Sequence, residues 1–129
     1  MPDEDRYRAA PVRDERARSE RIKKTELAAA VGATREAEAR LAAAREALAA
    51  AVATADAQPT AARRVLAERH AQALRRRVAD LADALARASG QLDAKQRQLA
   101  HARAQREVIE RHFERWRQDR RKLADRRED

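Results

Sequence analysis

A heptad seam runs without a stutter through the second half of the chain. Its members alternate at spacings of four and three: Leu74, Val78, Leu81, Leu85, Ala88, Leu92, Lys95, Leu99, Ala102, Arg106, Ile109, Phe113, Trp116, Arg120 and Leu123. A period of about 3.5 residues held this long specifies an α-helix with one narrow apolar stripe. Such a stripe cannot bury itself, so the helix needs a helical partner.

The first half of the chain supplies one. Leu27, Thr34, Leu41, Leu48 and Ala55 fall seven apart, and Ala30, Ala37, Ala44 and Ala51 fill the alternate core positions. Upstream of Ile22 the pattern fades into VRDERARSER, which is nearly all charge. Between the two seams lies one credible break, TADAQPT at residues 54–60. Pro59 cannot continue a helix, because it lacks the N–H and its ring clashes with the preceding turn, but it suits the opening of a new one. A link this short between amphipathic helices favours an antiparallel hairpin. The expectation is therefore an all-α fold, a long two-helix antiparallel coiled-coil hairpin. It has an irregular segment over 1–11, helix one over about 12–55, a turn near 56–59 and helix two over about 59–127. At 1.5 Å per residue helix two would be ~100 Å long. Gly32 and Gly90 read as tolerated glycines inside helices, each costing about 1 kcal/mol relative to alanine.

With the turn centred near residue 58, facing residues would have numbers that add to about 116. Leu41 would then stand by Leu74 and Arg75, and Leu27 by Ser89. Helix one would be used up near residue 104 of helix two. The largest apolar side chains, Val108, Ile109, Phe113 and Trp116, would then face either the thin segment around Tyr7 or nothing.

Composition narrows the function classes. Charged residues make up 40% and aromatics 2%, and alanine supplies most of the hydrophobic fraction, which is a coiled-coil composition rather than that of a globular core. An enzyme needs a concave site, and a two-helix rod offers none. The two glycines belong to no phosphate loop, and His70, His101 and His112 have no metal-ligand spacing. The carboxylates alternate with arginines at helical spacing; Glu36 with Arg40 and Glu107 with Arg111 are ordinary i, i+4 pairs. No enzyme activity, cofactor or metal is expected. With no cysteine there is no disulfide framework. The opening MPDEDRYR is acidic with no apolar stretch behind it, unlike a signal peptide, and a cytoplasmic location is the expectation.

Net charge of +8 and a pI near 11 favour an acidic partner. Two clusters carry the excess. RRVLAERHAQALRRR, residues 63–77, places Arg75, Arg76 and Arg77 near the hairpin tip as candidate contacts for an acidic surface, or as a solvated face. In the terminal stretch, Phe113 and Trp116 are flanked by Arg106, Arg111, Arg115, Arg117, Arg120, Arg121 and Lys122, the aromatic-plus-arginine composition of interface hot spots. The competing reading packs both aromatics onto Tyr7 and Val12 as core.

Taken together, a charged arm, an alanine/leucine hairpin and an arginine-rich terminal helix resemble the FliJ/YscO family, the central-stalk proteins of flagellar and injectisome type III secretion. The stretch ERHFERWRQDRRKLADRRED is similar to that family's terminal helix, with Trp116, Arg117, Arg120, Lys122 and Asp125 at the matching positions. RIKKTELAAAV, residues 21–31, looks like the first-helix entry of YscO-type members, and the ending LADRRED only approximates the flagellar Lys-Leu-Asp-Glu ending, which tilts the resemblance toward the injectisome type. The resemblance implies a non-enzymatic stalk analogous to a rotary-ATPase shaft. Its paired termini would enter a hexameric secretion ATPase and its tip would face an export gate protein, with secretion chaperones as further partners, at the cytoplasmic side of the inner membrane. Two other classes stay open: a basic coiled coil that binds nucleic acid, and an oligomeric scaffold whose seams pair between chains.

Overall fold

The computed structural model describes residues 6–128, and the first five residues of the expected irregular segment lie outside that range. The fold is all-α, with two helices that pack against each other: α1, Ala10–Asp56, and α2, Ala61–Glu128. Alanine, leucine, arginine and glutamate, the strong helix formers, fill both. Pro11 is the second residue of α1, where a missing N–H costs no intrahelical bond.

The turn is built by side chains as well as backbone. At the end of α1 the Gln58 amide Nε2 donates to the Thr54 carbonyl at 3.0 Å, occupying a carbonyl that the helix leaves open. Helix α2 starts two residues after Pro59, because Thr60 takes the cap: its Oγ1 accepts from the Arg63 backbone N–H at 3.2 Å.

Two compact units divide the chain. One is Ala28–Ala94, the turn-containing part, and the other joins residues up to Leu27 with those from Lys95 onward. In the turn unit, Thr34 Oγ1 reaches the Ala88 carbonyl at 3.4 Å, so numbers of facing residues add to about 122. That register brings seam to seam throughout: Leu41 faces Leu81, Leu48 faces Leu74 and Ala51 faces Ala71. It corrects the expected sum of about 116, which had set Leu41 against Leu74 and Arg75. The reason is local. Residues 61–66 at the start of α2 are all exposed, so the first turn of α2 is spent before its seam meets α1.

Burial follows the heptad. Leu41, Ala44, Ala51, Ala55 and Ala71 are the buried apolar residues of this unit, and no large side chain in the described chain is completely enclosed. Burying a leucine is worth about 2 kcal/mol, whereas an alanine methyl contributes under about 1 kcal/mol, so the helices pack closely with little area per heptad. Gly32 and Gly90 lie within the helices at the same level of this unit, both exposed and both with ordinary negative φ. A methyl group at either would meet nothing within 4 Å.

Candidate protein-interaction surface

The second unit contains the beginning of α1 and the end of α2, and its seam is built differently. The heptad of α1 does not stop at Ile22. It continues toward the amino terminus through Lys23, Glu20, Arg16 and Arg13, all shielded to some degree, while Ile22 itself is exposed. The apparent fading of the pattern was a change of residue type and not of period.

Charged seam positions require partners, and α2 supplies them. Glu20, 5% exposed, lies in ion-pair contact with Arg106, a seam position of α2. Arg103 at 3.6 Å and Lys24 at 3.4 Å complete its cationic surroundings. Burial pushes the Glu20 carboxyl upward, but the Arg106 hydrogen bond and charge, with Lys24, outweigh it and hold the group below its usual range. Glu26 bonds Lys95 at 3.1 Å and Lys23 at 3.4 Å; the Lys95 bond is the larger cause of its lowered pKa. Arg16 Nη1 donates to Gln105 Oε1 at 2.7 Å.

Arg13 does two jobs. Its fork donates to both Glu110 oxygens, at 2.8 and 3.1 Å, which raises its own pKa and lowers that of Glu110. The same guanidinium lies 3.9 Å from the centre of the Phe113 ring, a cation–π contact.

Tyr7, nearly buried, closes the unit. Its ring centre is 5.0 Å from Phe113, 5.2 Å from Trp116 and 5.5 Å from His112. Its hydroxyl stands 2.5 Å from His112 Nδ1, and Phe113 stacks on Trp116 at 5.9 Å. Phe113 and Trp116 are thus held by an intramolecular aromatic cluster. Val12, the other core partner expected, is about half exposed and lies outside it.

The remaining candidates divide by environment. The Arg106 charge is engaged by Glu20. Arg117 pairs with Glu114 at 3.6 Å and lies 5.8 Å from the Phe113 ring. Arg111, Arg115, Arg121 and Lys122 are exposed along α2, and Arg120 is half-buried. Arg75, Arg76 and Arg77 belong to the turn unit and are exposed; Arg75 donates to Gln72 at 3.2 Å. Of the two i, i+4 pairs expected, Glu36–Arg40 closes at 2.6 Å, whereas Glu107 and Arg111 form no ion pair.

Beside the aromatic cluster lies a groove of about 560 Å³. Tyr7, Trp116 and Leu123 form its apolar floor, and Arg8, Arg120 and Arg127 lie around it. α1 begins at Ala10 and α2 continues to Glu128. Leu123, a seam member by spacing, is 44% exposed. Among the described residues there is no cluster of side chains suited to a metal ion, and no helix long and apolar enough to cross a membrane.

No family model, curated protein or solved structure matches the chain.

Proposed function

We propose that this protein is a non-enzymatic helical shaft that docks through the arginine-rich end of α2 against acidic protein surfaces, as the central stalk of a type III secretion apparatus. The observation that supports this most directly is the excess of cations over acids at the end of α2. Residues 117–128 present Arg117, Arg120, Arg121, Lys122, Arg126 and Arg127 against Asp119, Asp125 and Glu128, on a helix with an aromatic anchor at its root. Basic side chains on a single rigid helix make weak, exchangeable contacts with acidic loops, which suits a rod that visits the subunits of a ring in turn. The resemblance of residues 110–129 to the terminal helix of the FliJ/YscO family supplies the specific partner, a hexameric secretion ATPase, with the Arg75–Arg77 cluster toward an export gate. ATP hydrolysis would belong to the ring.

The test is to mix the chain with such an ATPase and measure turnover and the mass of the complex. A monomer that raises turnover supports the proposal. Salt-sensitive DNA binding without stimulation would instead support the nucleic-acid reading. A concentration-dependent dimer with no affinity for the ring would support the scaffold.

A further inference from the structure

We infer that the first turns of α2 dock on an anionic phospholipid surface, with Val65 and Leu66 entering the interface and arginines holding the headgroups around them. This contact lies within the turn unit and is separate from the docking proposed above for the end of α2.

Val65 and Leu66 are the large apolar side chains that the turn unit leaves exposed, at 48% and 65%. They belong to the face of α2 turned away from α1. At about 3.6 residues per turn Ala62, Val65, Leu66, Arg69, Ala73 and Arg76 share that face, opposite the seam line of Ala71, Leu74 and Val78, and all of them are exposed. Packing against α1 therefore does not account for the apolar pair.

Charge supplies the second observation. Residues 61–77 hold Arg63, Arg64, Arg69, Arg75, Arg76 and Arg77 against one acid, Glu68, and acids return along α2 only at Asp80 and Asp83. Helical spacing sorts these arginines into three lines. Arg63 with Arg77 follows one flank of α2, Arg64 with Arg75 the other, and Arg69 with Arg76 the outer face. All are exposed, and among the described residues the side chains of Arg63, Arg64, Arg69, Arg76 and Arg77 form no hydrogen bond or ion pair.

This arrangement favours lipid over the other polyanions. A rigid acidic protein surface meets one side of a helix and leaves the other lines in water. Nucleic-acid phosphates engage arginines but leave Val65 and Leu66 exposed. Phospholipid headgroups are mobile, so they gather along all three lines, with each phosphate accepting hydrogen bonds from an arginine fork. The acyl boundary takes the apolar pair, and the flanking arginines reach back to headgroup level.

The full chain is mixed with vesicles of phosphatidylcholine alone, or of phosphatidylcholine with phosphatidylserine, and binding is read by co-sedimentation. Binding is expected with the anionic vesicles only, and it should weaken with salt. Arg69→Gln should weaken it about fivefold, and adding Arg76→Gln about fivefold more. Val65→Ser with Leu66→Ser should weaken it about tenfold or more at unchanged helicity, since both positions face solvent. A second readout needs none of these variants. The chain has no cysteine, so Leu66→Cys offers one attachment point for an environment-sensitive dye. Its emission should shift to the blue on anionic vesicles, whereas the same dye at Ala53→Cys, an exposed position of α1, should not respond. Equal binding to both kinds of vesicle, full binding by the serine variant, or equal dye shifts at 66 and 53 would overturn the lipid contact. So would failure to bind vesicles beside salt-sensitive binding of duplex DNA, which would give the cluster to nucleic-acid phosphate. Failure to bind vesicles while ring stimulation persists excludes the lipid contact and leaves the shaft reading standing.

Discussion

Glu20 of α1 and Arg106 of α2 meet as an ion pair between two seam positions about one helical turn apart in level, where a coiled coil ordinarily places apolar residues. A single polar pair in a seam costs stability and fixes which heptad faces which, because any slip leaves a buried charge alone. An alanine-rich seam holds register weakly by shape, so this pair has more to decide here than it would in a leucine zipper.

Replacing only one member should therefore be worse than replacing both. Glu20→Ala is expected to lower the thermal midpoint and broaden the transition, since Arg106 is left facing the seam. Glu20→Leu with Arg106→Leu should recover or exceed the parent midpoint. Thermal melts followed by circular dichroism check the order; equal midpoints for the single and double variants would remove the pair from any register role.

Acid should loosen this unit. Glu20, Glu26 and Glu110 all have carboxyl pKa values held below the unperturbed value of 4.5 by their cationic partners. A group whose pKa is lower folded than unfolded stabilises the fold above its unfolded value, and that contribution disappears as pH falls through the folded value. Stability should be flat from pH 7 to about 5 and decline below the unperturbed carboxylate range. The groups facing these carboxylates, Arg13, Lys23, Lys24, Lys95, Arg103 and Arg106, stay charged throughout, so the decline belongs to the acids. A pH titration of Trp116 emission reads it, and a decline centred near neutrality would contradict the assignment.

Tyr7 should matter more than its place near the chain's beginning suggests. Tyr7→Ala uncovers Phe113 and Trp116 and is expected to cost about 3 kcal/mol, the lower end for losing a packed aromatic. It should also shift Trp116 emission to the red. Tyr7→Phe loses only the bond to His112 and should cost about 1 kcal/mol. Urea unfolding with the fluorescence readout separates the two.

The fold class was legible because the seam of α2 and the Leu27–Ala55 half of α1 obey a strict heptad, and from Leu74 to Arg120 and from Leu27 to Ala55 those are the positions shielded in the structure. The register was less so. The position of the turn alone placed Leu41 by Leu74, yet the requirement that seam residues face seam residues selects Leu48 for Leu74 and Leu81 for Leu41. The Glu20 cluster was hidden for a different reason: an apolarity pattern goes silent when seam positions become Arg13, Arg16, Glu20 and Lys23, even though the spacing persists. Nothing in the spacing of Phe113 and Trp116 distinguishes core from interface. Only the fold-back of Tyr7 onto them does.

Gly32 and Gly90 are the only two glycines in the chain, and they share one height in the turn unit with open space around each. Close packing therefore does not require them, and each weakens its helix by about 1 kcal/mol. Alanine at both should raise the thermal midpoint, with additive gains. In the parent chain, amide protons around these two residues should exchange with solvent faster than those around Leu41. The two helices of the turn unit are then softest at one storey, where strain on the turn would be taken up as bending.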